Sequence, residues 1–165
     1  MSFNFSPTDV TTSITILPKD RYKVQIGAPT PWAFEREGKP AMYGVRYNLT
    51  VLEGDKRGKK IIFNGNQDNE IGQQIFKRFL GAAQGHYWRN ESQEDEYNEW
   101  LAGKYTDPVN DFRADPATKD VGPYFTDAKG SVIFIDVDIN QANDGSGKQF
   151  QQFKNFYPME FEFED

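Results

Sequence analysis

The chain has 165 residues, a formal net charge of -6, no cysteine and one histidine. This length favours a single domain with a core of its own, and the lack of cysteine excludes disulfides and thiolate metal sites. Aromatic residues make up 15% of the chain, which argues against disorder along its whole length.

The sequence contains no apolar run long enough to span a membrane, and its N-terminus lacks the basic and apolar regions of a secretory signal. We therefore expect no membrane association and a cytoplasmic location.

The net charge conceals a separation of charge along the chain. Residues 21–89 carry 12 Lys and Arg against 6 Asp and Glu, a local charge of +6. Residues 90–159 carry 6 against 13, a local charge of -7, and the last six residues add four acids. Because a basic half and an acidic half share one small domain, the total does not exclude a face that binds anions.

The first half of the chain shows the alternation typical of β-strands. Residues 1–19 lack periodicity and are expected to form an N-terminal arm. In residues 21–27, Tyr22, Val24 and Ile26 alternate with polar residues, which predicts a strand with one cationic face. Residues 27–40 contain three prolines and predict a loop that exposes Trp32 and Phe34.

A hairpin and a helix are predicted next. Residues 41–54 alternate as a long strand, residues 54–58 form a turn, and residues 59–65 return as a second strand. In residues 68–85 five apolar residues fall at helical spacing: Ile71, Ile75, Phe76, Phe79 and Leu80. Asp68 or Asn69 is suited to be the N-cap, and Gly85 is suited to end the helix.

Residues 86–129 are the least regular stretch and predict an insertion, with a short acidic helix followed by a long surface loop. Alternation returns in residues 131–140, where Ile133, Ile135 and Val137 share a face, and residues 148–158 are the closing strand. The predicted fold class is therefore mostly β. The order of elements favours a five-stranded OB-fold Greek-key barrel, over residues 20–158, with one helix between strands 3 and 4.

Catalytic and metal motifs find little support. The stretch from Gly54 to Lys60 fails the phosphate-loop spacing, and residues 136–147 lack the glycine and glutamate of a calcium loop. Asp136 and Asp138 share a strand face and could hold Mg²⁺ in a nuclease, but no third carboxylate lies nearby in the sequence. We therefore expect no enzyme, no cofactor and no metal, and keep the nuclease as an alternative.

Cations interleaved with aromatic rings are the stronger signal. Lys and Arg neutralise phosphates, and flat rings stack on unpaired bases without regard to sequence. The candidate residues for binding single-stranded nucleic acid are Arg21, Lys23, Trp32, Phe34, Arg46, Lys56, Arg57, Lys59, Lys60, Phe134 and Phe153. Tyr43, Tyr47 and Phe63 could equally belong to the core, because they lie in phase with apolar residues.

This layout resembles phage-encoded single-stranded-DNA-binding proteins of OB fold. The similarity lies in the opening strand at residues 20–27, the hairpin at 47–63, the helix at 70–85 and the closing strands at 130–158. It implies sequence-nonspecific coating of single-stranded DNA during replication or recombination of a bacteriophage in the host cytoplasm. The resemblance does not extend to residues 86–129. It is compatible with a homo-oligomer.

The same resemblance implies an acidic C-terminal tail, residues 159–165, that recruits replication or recombination proteins and competes with DNA. Four acids alternate with two rings there: Glu160, Phe161, Glu162, Phe163, Glu164 and Asp165. The alternation also fits a final strand, so both interpretations stay open. A protein-interaction or virion structural module, with the rings at an oligomer interface, is the main functional alternative.

Overall fold

The computed structural model describes residues 16–142 and 144–163, and residues 1–15 of the expected arm lie outside that part. In chain order the elements are β1 (Asp20–Ile26), β2 (Thr30–Arg36), β3 (Lys39–Val51), β4 (Lys60–Asn66), α1 (Glu70–Ala83), α2 (Glu91–Lys104), β5 (Ala114–Asp115), β6 (Asp120–Val121), α3 (Pro123–Thr126), β7 (Val132–Gln141) and β8 (Gln149–Pro158). The expectation of a mostly β protein with a helix between the third and fourth predicted strands is confirmed. No helix in the described part is long and apolar enough to cross a bilayer.

Six strands form one antiparallel sheet with the path β2-β3-β1-β7-β8, and β4 pairs with the other edge of β3. Long β3 pairs with β2 through its first half and with β1 through residues 49–51. Within the described residues no ladder joins β4 to β8, so a closed barrel is not found, although the order of elements favoured a barrel.

Strand β2 corrects a second expectation, because residues 27–40 were predicted to be a loop. Trp32 pairs with Gly44 and Phe34 pairs with Met42, so this stretch is a hairpin arm that lengthens the sheet. Pro31 is tolerated because β2 lies at the edge of the sheet, where a missing N–H costs no ladder bond.

Helix α1 begins and ends where the local sequence indicates. The Asn69 side chain accepts a hydrogen bond from the Gly72 N–H at 2.7 Å, and Gly85 follows the helix with a φ of 88°. Phe76, Phe79 and Leu80 are buried, as their spacing predicts. Ile71 is 75% exposed, however, because the helix turns a different face toward the sheet than the five-residue pattern suggested.

The core lies between the inner face of the sheet, α1 and the insertion. Tyr47 and Phe63 are buried against Phe79, at centroid distances of 5.0 and 4.3 Å. Tyr47 also donates a hydrogen bond of 2.7 Å to the Phe125 carbonyl. Tyr43, in contrast, is half-exposed, since it lies beyond the end of the core.

The insertion is more ordered than the predicted surface loop. The acidic helix is present as α2, and Asn90 caps it by accepting from the Gln93 N–H at 2.9 Å. Tyr105, Tyr124 and Phe125 after it are buried in the main core. Residues 86–129 therefore help to complete the hydrophobic core as well as covering one side of it.

The two ends of the described chain return to the domain. Leu17, within the expected arm, is fully buried, and its backbone N–H and carbonyl bond the Gln151 amide at 2.6 and 3.0 Å. Strand β8 ends at Pro158, and the Phe161 N–H donates to the Pro158 carbonyl at 3.0 Å in a turn. Residues 159–163 therefore do not continue the strand.

Candidate nucleic-acid interface

Most of the candidate residues lie on the outer face of the sheet. Residues opposite one another on neighbouring strands point to the same side. In the strand register, Arg46 lies opposite Thr30 on β2 and Asn64 on β4, and Lys23 lies opposite Phe134 on β7. Because Val45, Tyr47 and Val24 occupy the inner face, seven candidates share the outer one. They are Arg21, Lys23, Trp32, Phe34, Arg46, Lys60 and Phe134.

A groove of about 470 Å³ opens where β4 and β8 fail to pair. Its walls come from the outer face of β3 and β4, from the beginning of β8 and from Ile16. The lining residues are Ile16, Arg46, Ile62, Asn64, Asn66, Gln149, Phe150, Gln151 and Phe153. We call this surface the groove. It combines one cation, four amides and four apolar side chains.

Arg46 is held in the groove by its neighbour on β4. Its Nε donates to Asn64 Oδ1 at 2.9 Å. Of the seven cations predicted to contact nucleic acid, Arg21 alone forms an ion pair with a carboxylate in the part of the chain that the structure describes. The other six cations are therefore not held in ion pairs within the described part of the chain, and Glu53 and Asp55 are the acids of the connecting turn.

The connecting turn carries three of the candidate cations. Lys56, Arg57 and Lys59 lie between β3 and β4, where Gly54 and Gly58 have φ values of 84° and 88°. The Val51 N–H donates to the Lys59 carbonyl at 2.9 Å, which continues the hairpin ladder into the turn. Lys60 follows as the first residue of β4, so four cations lie within five positions.

The rings of β2 are accessible to different degrees. Phe34 is 59% exposed, whereas Trp32 is half-buried. The Trp32 indole N–H is buried and has no hydrogen-bond partner among the described residues. Because this atom is not accessible, Trp32 offers a ligand the exposed part of its ring and not its N–H.

Phe153 and Phe150 both line the groove but differ in exposure. Phe153 lines the groove, but its ring packs on Phe63 at 5.1 Å and on Phe156 at 6.0 Å, at the margin of the core. Phe150 is 47% exposed in the groove and was not among the candidates. A bulge between Asp136 and Val137, opposite Asn155 and Phe153, changes which β8 residues face inward.

Ile62, Asn64 and Asn66 were also missed as groove residues. The alternation of buried Ile61 and Phe63 with these side chains was visible in the sequence and places them on the outer face with Arg46. The contribution of Gln149 and of Ile16 was not visible, because it depends on two segments separated by more than 130 residues.

Arg21 and Phe134 lie in a second area, which the end of the chain covers. The Arg21 guanidinium carbon lies 3.8 Å from the centre of the Phe163 ring, and Phe134 meets the same ring edge-on at 5.3 Å. Tyr157 contacts Phe161 and Phe163 at 4.8 and 4.9 Å. We call Arg21, Tyr87, Phe134 and Tyr157 the tail patch, since Tyr87 also contacts Phe161.

An ion pair anchors this patch. Arg21 donates to both carboxylate oxygens of Asp136 at 2.7 and 3.1 Å, and the Tyr157 hydroxyl donates to Oδ2 at 2.8 Å. Burial by itself would raise the pKa of Asp136, but these donors, with Asn155, hold it below its ordinary value. Burial and the bond to Asp136 raise the pKa of Tyr157 to about 12.

These contacts bear on the nuclease alternative. Asp136 accepts four hydrogen bonds from protein donors, which a metal ion would have to displace. Residues 16–142 and 144–163 contain no group of three or more His, Cys, Asp or Glu placed to hold a metal ion.

The structure thus divides the candidates into two sets at opposite ends of β8. Arg46, with Phe153, lines the groove at the beginning of the strand, next to Lys60 on β4. Arg21 and Phe134 lie beneath the C-terminal tail, at the end of β8.

Comparison with known proteins does not identify a family for this chain, since neither a protein-family model nor a curated protein matches the sequence.

Proposed function

We propose that this protein binds single-stranded DNA without strict sequence preference, through the groove and the adjoining outer face of β2, β3 and β4. The function follows the resemblance to phage single-stranded-DNA-binding proteins, and DNA replication or recombination is the process it would serve. The observation that carries the proposal is an open groove whose one cation, Arg46, has no carboxylate partner among the described residues.

The arrangement of strands is compatible with an open form of the OB fold. Without the extra strand β2, the pairing order is β4-β3-β1-β7-β8, and α1 follows β4. An OB fold uses the corresponding five strands, and it binds oligonucleotides on the face of its second and third strands and adjacent loops. Those strands are β3 and β4 here. Contacts of Phe63 with Phe153 and Phe156 join the two edges that the backbone leaves unpaired.

Each class of side chain has a distinct part in binding. The rings of Trp32, Phe34 and Phe150 offer stacking surfaces, each worth about 1–3 kcal/mol per base. Lys60 and the cationic turn at residues 56–59 neutralise phosphates along the flank of β4. The amides at the groove wall supply hydrogen bonds to the unpaired base edges.

A titration with oligo-dT, read by tryptophan fluorescence, tests the proposal. The three tryptophans are Trp32, Trp88 and Trp100, of which Trp88 is 2% exposed and Trp100 lies on α2. We expect oligo-dT to quench the wild type and the Trp100→Phe variant, and to quench Trp32→Phe much less. Arg46→Gln should weaken binding at least about tenfold, as loss of a charged hydrogen-bonding group does, while the control Lys104→Gln, on α2, should not.

Absence of binding to oligo-dT at 50 mM salt contradicts the proposal. A stable oligomer in light scattering without any response to DNA favours the protein-interaction or virion module instead. Loss of a labelled single strand in Mg²⁺, abolished in Asp136→Asn, favours the nuclease.

A partner of the tail belongs to the same proposal. Phe161 and Phe163 are the two apolar anchors that a replication or recombination protein would take up. Because both rings pack on the tail patch, such a partner has to compete with Arg21, Tyr87 and Tyr157 for them.

A further inference from the structure

The polar groups of Arg46 and Asn64 are oriented by each other. The two residues are directly opposite in the β3–β4 ladder, and Arg46 Nε donates to Asn64 Oδ1 at 2.9 Å. A guanidinium N–H can only donate, so the Asn64 amide must turn its oxygen toward Arg46. Its NH₂ group is then left for other partners.

The pair therefore presents mainly donors. Arg46 retains four N–H groups and Asn64 retains two, and no acceptor for them is found in the described part of the chain. Against these six donors stands one acceptor position, the second lone pair of Asn64 Oδ1. Gln151 is engaged elsewhere, because its amide oxygen accepts from Leu17 and its NH₂ donates to Leu17 and Asp138. Asn66 and Gln149 can adapt to a ligand, whereas the Arg46–Asn64 pair remains dominated by donors.

The surroundings of the pair suit a base better than a phosphate. Ile62 and Phe150 line the same groove and provide apolar contact for a flat ring. The cations that suit phosphates are Lys60, the first residue of β4, and those of the turn before it; none of them forms an ion pair with a carboxylate among the described residues.

We propose that the Arg46–Asn64 pair binds the keto oxygen at position 4 of an unpaired pyrimidine or at position 6 of an unpaired purine. The groove would then prefer thymine and guanine, which carry a keto oxygen there, to cytosine and adenine, which carry an amino group. This inference rests on the proposed binding of single-stranded DNA. A keto oxygen accepts hydrogen bonds from the pair. An exocyclic amino group in the same place would turn its own N–H groups toward the N–H groups of Arg46 and Asn64. These donors would then have no acceptor, in a site from which the base has displaced water.

The test compares homopolymers that carry a keto or an amino group at the same position. Oligo-dU and oligo-dC differ in this way at position 4, and the adjacent N3 is protonated only in uracil. Oligo-dI and oligo-dA differ likewise at position 6, and the adjacent N1 is protonated only in hypoxanthine. The ring skeletons that stack are the same, so stacking is nearly matched within each pair. We expect the keto member of each pair to bind at least about fivefold more tightly, since good hydrogen-bonded base recognition is worth about 1 kcal/mol or more.

Variants separate the pair from the flanking cations. Asn64→Asp replaces the two amide donors by an acceptor, and Asn64→Leu removes them; both should reduce the keto preference to about one or below. Asn64 is exposed on a strand, so both variants should fold, which circular dichroism checks. Lys60→Gln is the matched control: it should weaken binding to all four oligonucleotides equally and leave the preference unchanged.

The outcomes distinguish this inference from the function on which it rests. Measurable binding with equal affinity for keto and amino oligonucleotides overturns it and assigns Arg46 to a phosphate, which carries no base preference. A keto preference that persists in Asn64→Leu overturns the assignment to this pair. Failure to bind any of the four oligonucleotides overturns the proposed function itself.

Discussion

At Gly44 the strands β3 and β4 lie too close together for any side chain. A Cβ added there would lie 2.0 Å from the Gly65 carbonyl oxygen, a backbone atom that cannot move aside alone. Gly44 is opposite Asn66 in the ladder and opposite Trp32 on the other side. The residue thus sets the spacing of the strands that carry the groove.

Gly44→Ala should therefore lower the free energy of unfolding by about 1–3 kcal/mol, the usual cost of overpacking. Chemical denaturation measures this. Gly103→Ala is the control, because an added Cβ meets nothing within 4 Å on α2 and alanine is the better helix former. Equal stability of Gly44→Ala and the wild type would contradict the close approach of the two strands.

Single residues also show what alternation can predict. The outward direction of Arg21, Lys23 and Arg46 was predicted correctly, since side chains of a strand point to opposite faces in turn. The partners of these residues were not predictable. Arg21 meets Asp136 across 115 positions of the chain, and no local pattern indicates that pairing.

Among the elements, the C-terminal segment has the most direct bearing on function. It covers Arg21 and Phe134, two of the residues proposed to contact DNA, with the rings of Phe161 and Phe163. Glu160 and Glu162 belong to the same segment, and Glu164 and Asp165 lie outside the described residues. A segment tethered to the domain has a high effective concentration, so it competes with any ligand for the tail patch.

Deletion of residues 160–165 should leave binding to oligo-dT intact or make it tighter, because Arg21 and Phe134 become accessible. Phe163→Ala should change the affinity for oligo-dT in the same direction, by a smaller amount. Met159→Ala is the control, since Met159 is exposed and lies outside the tail patch. A clear loss of affinity on deletion, measured by the fluorescence titration, would contradict competition by the tail.

Strand β2 shows where reading elements from composition fails. Three prolines within residues 27–40 predicted a loop, but Pro31 lies in an edge strand and Pro40 in the adjoining part of β3. The pairing of β2 with β3 is a tertiary contact that outweighs the local preference. The helix caps at Asn69 and Asn90, which depend on adjacent residues alone, follow the sequence closely.

For the whole molecule, the distribution of charge matters more than the net charge of -6. The cationic turn and Lys60 come directly before Ile62, a residue of β4 that lines the groove, whereas the acids of α2 lie in the insertion. The beginning of the turn, at residues 53–55, lies beside Arg21 and Phe134. Single-stranded DNA releases counterions wherever such cations meet phosphates, so affinity should fall with salt although the protein is acidic overall.

If Lys56, Arg57, Lys59 and Lys60 each neutralise one phosphate, a plot of log affinity against log salt should have a slope of about -3. Affinity would then fall about 50-fold between 50 and 200 mM salt. Lys60→Gln should make the slope less steep by about 0.7, while Lys104→Gln should leave it unchanged. A slope near zero would contradict phosphate contacts by this turn.

Local patterns were enough to predict the order of the main strands, the ends of α1 and the polarity of the sheet's two faces. These features follow from periodicity and capping, which act over a few residues. Long-range packing, in contrast, leaves β4 and β8 unpaired, opens a groove between them and brings Phe163 back to Arg21. Such contacts join residues far apart in the chain, and their formation depends on how the whole core packs.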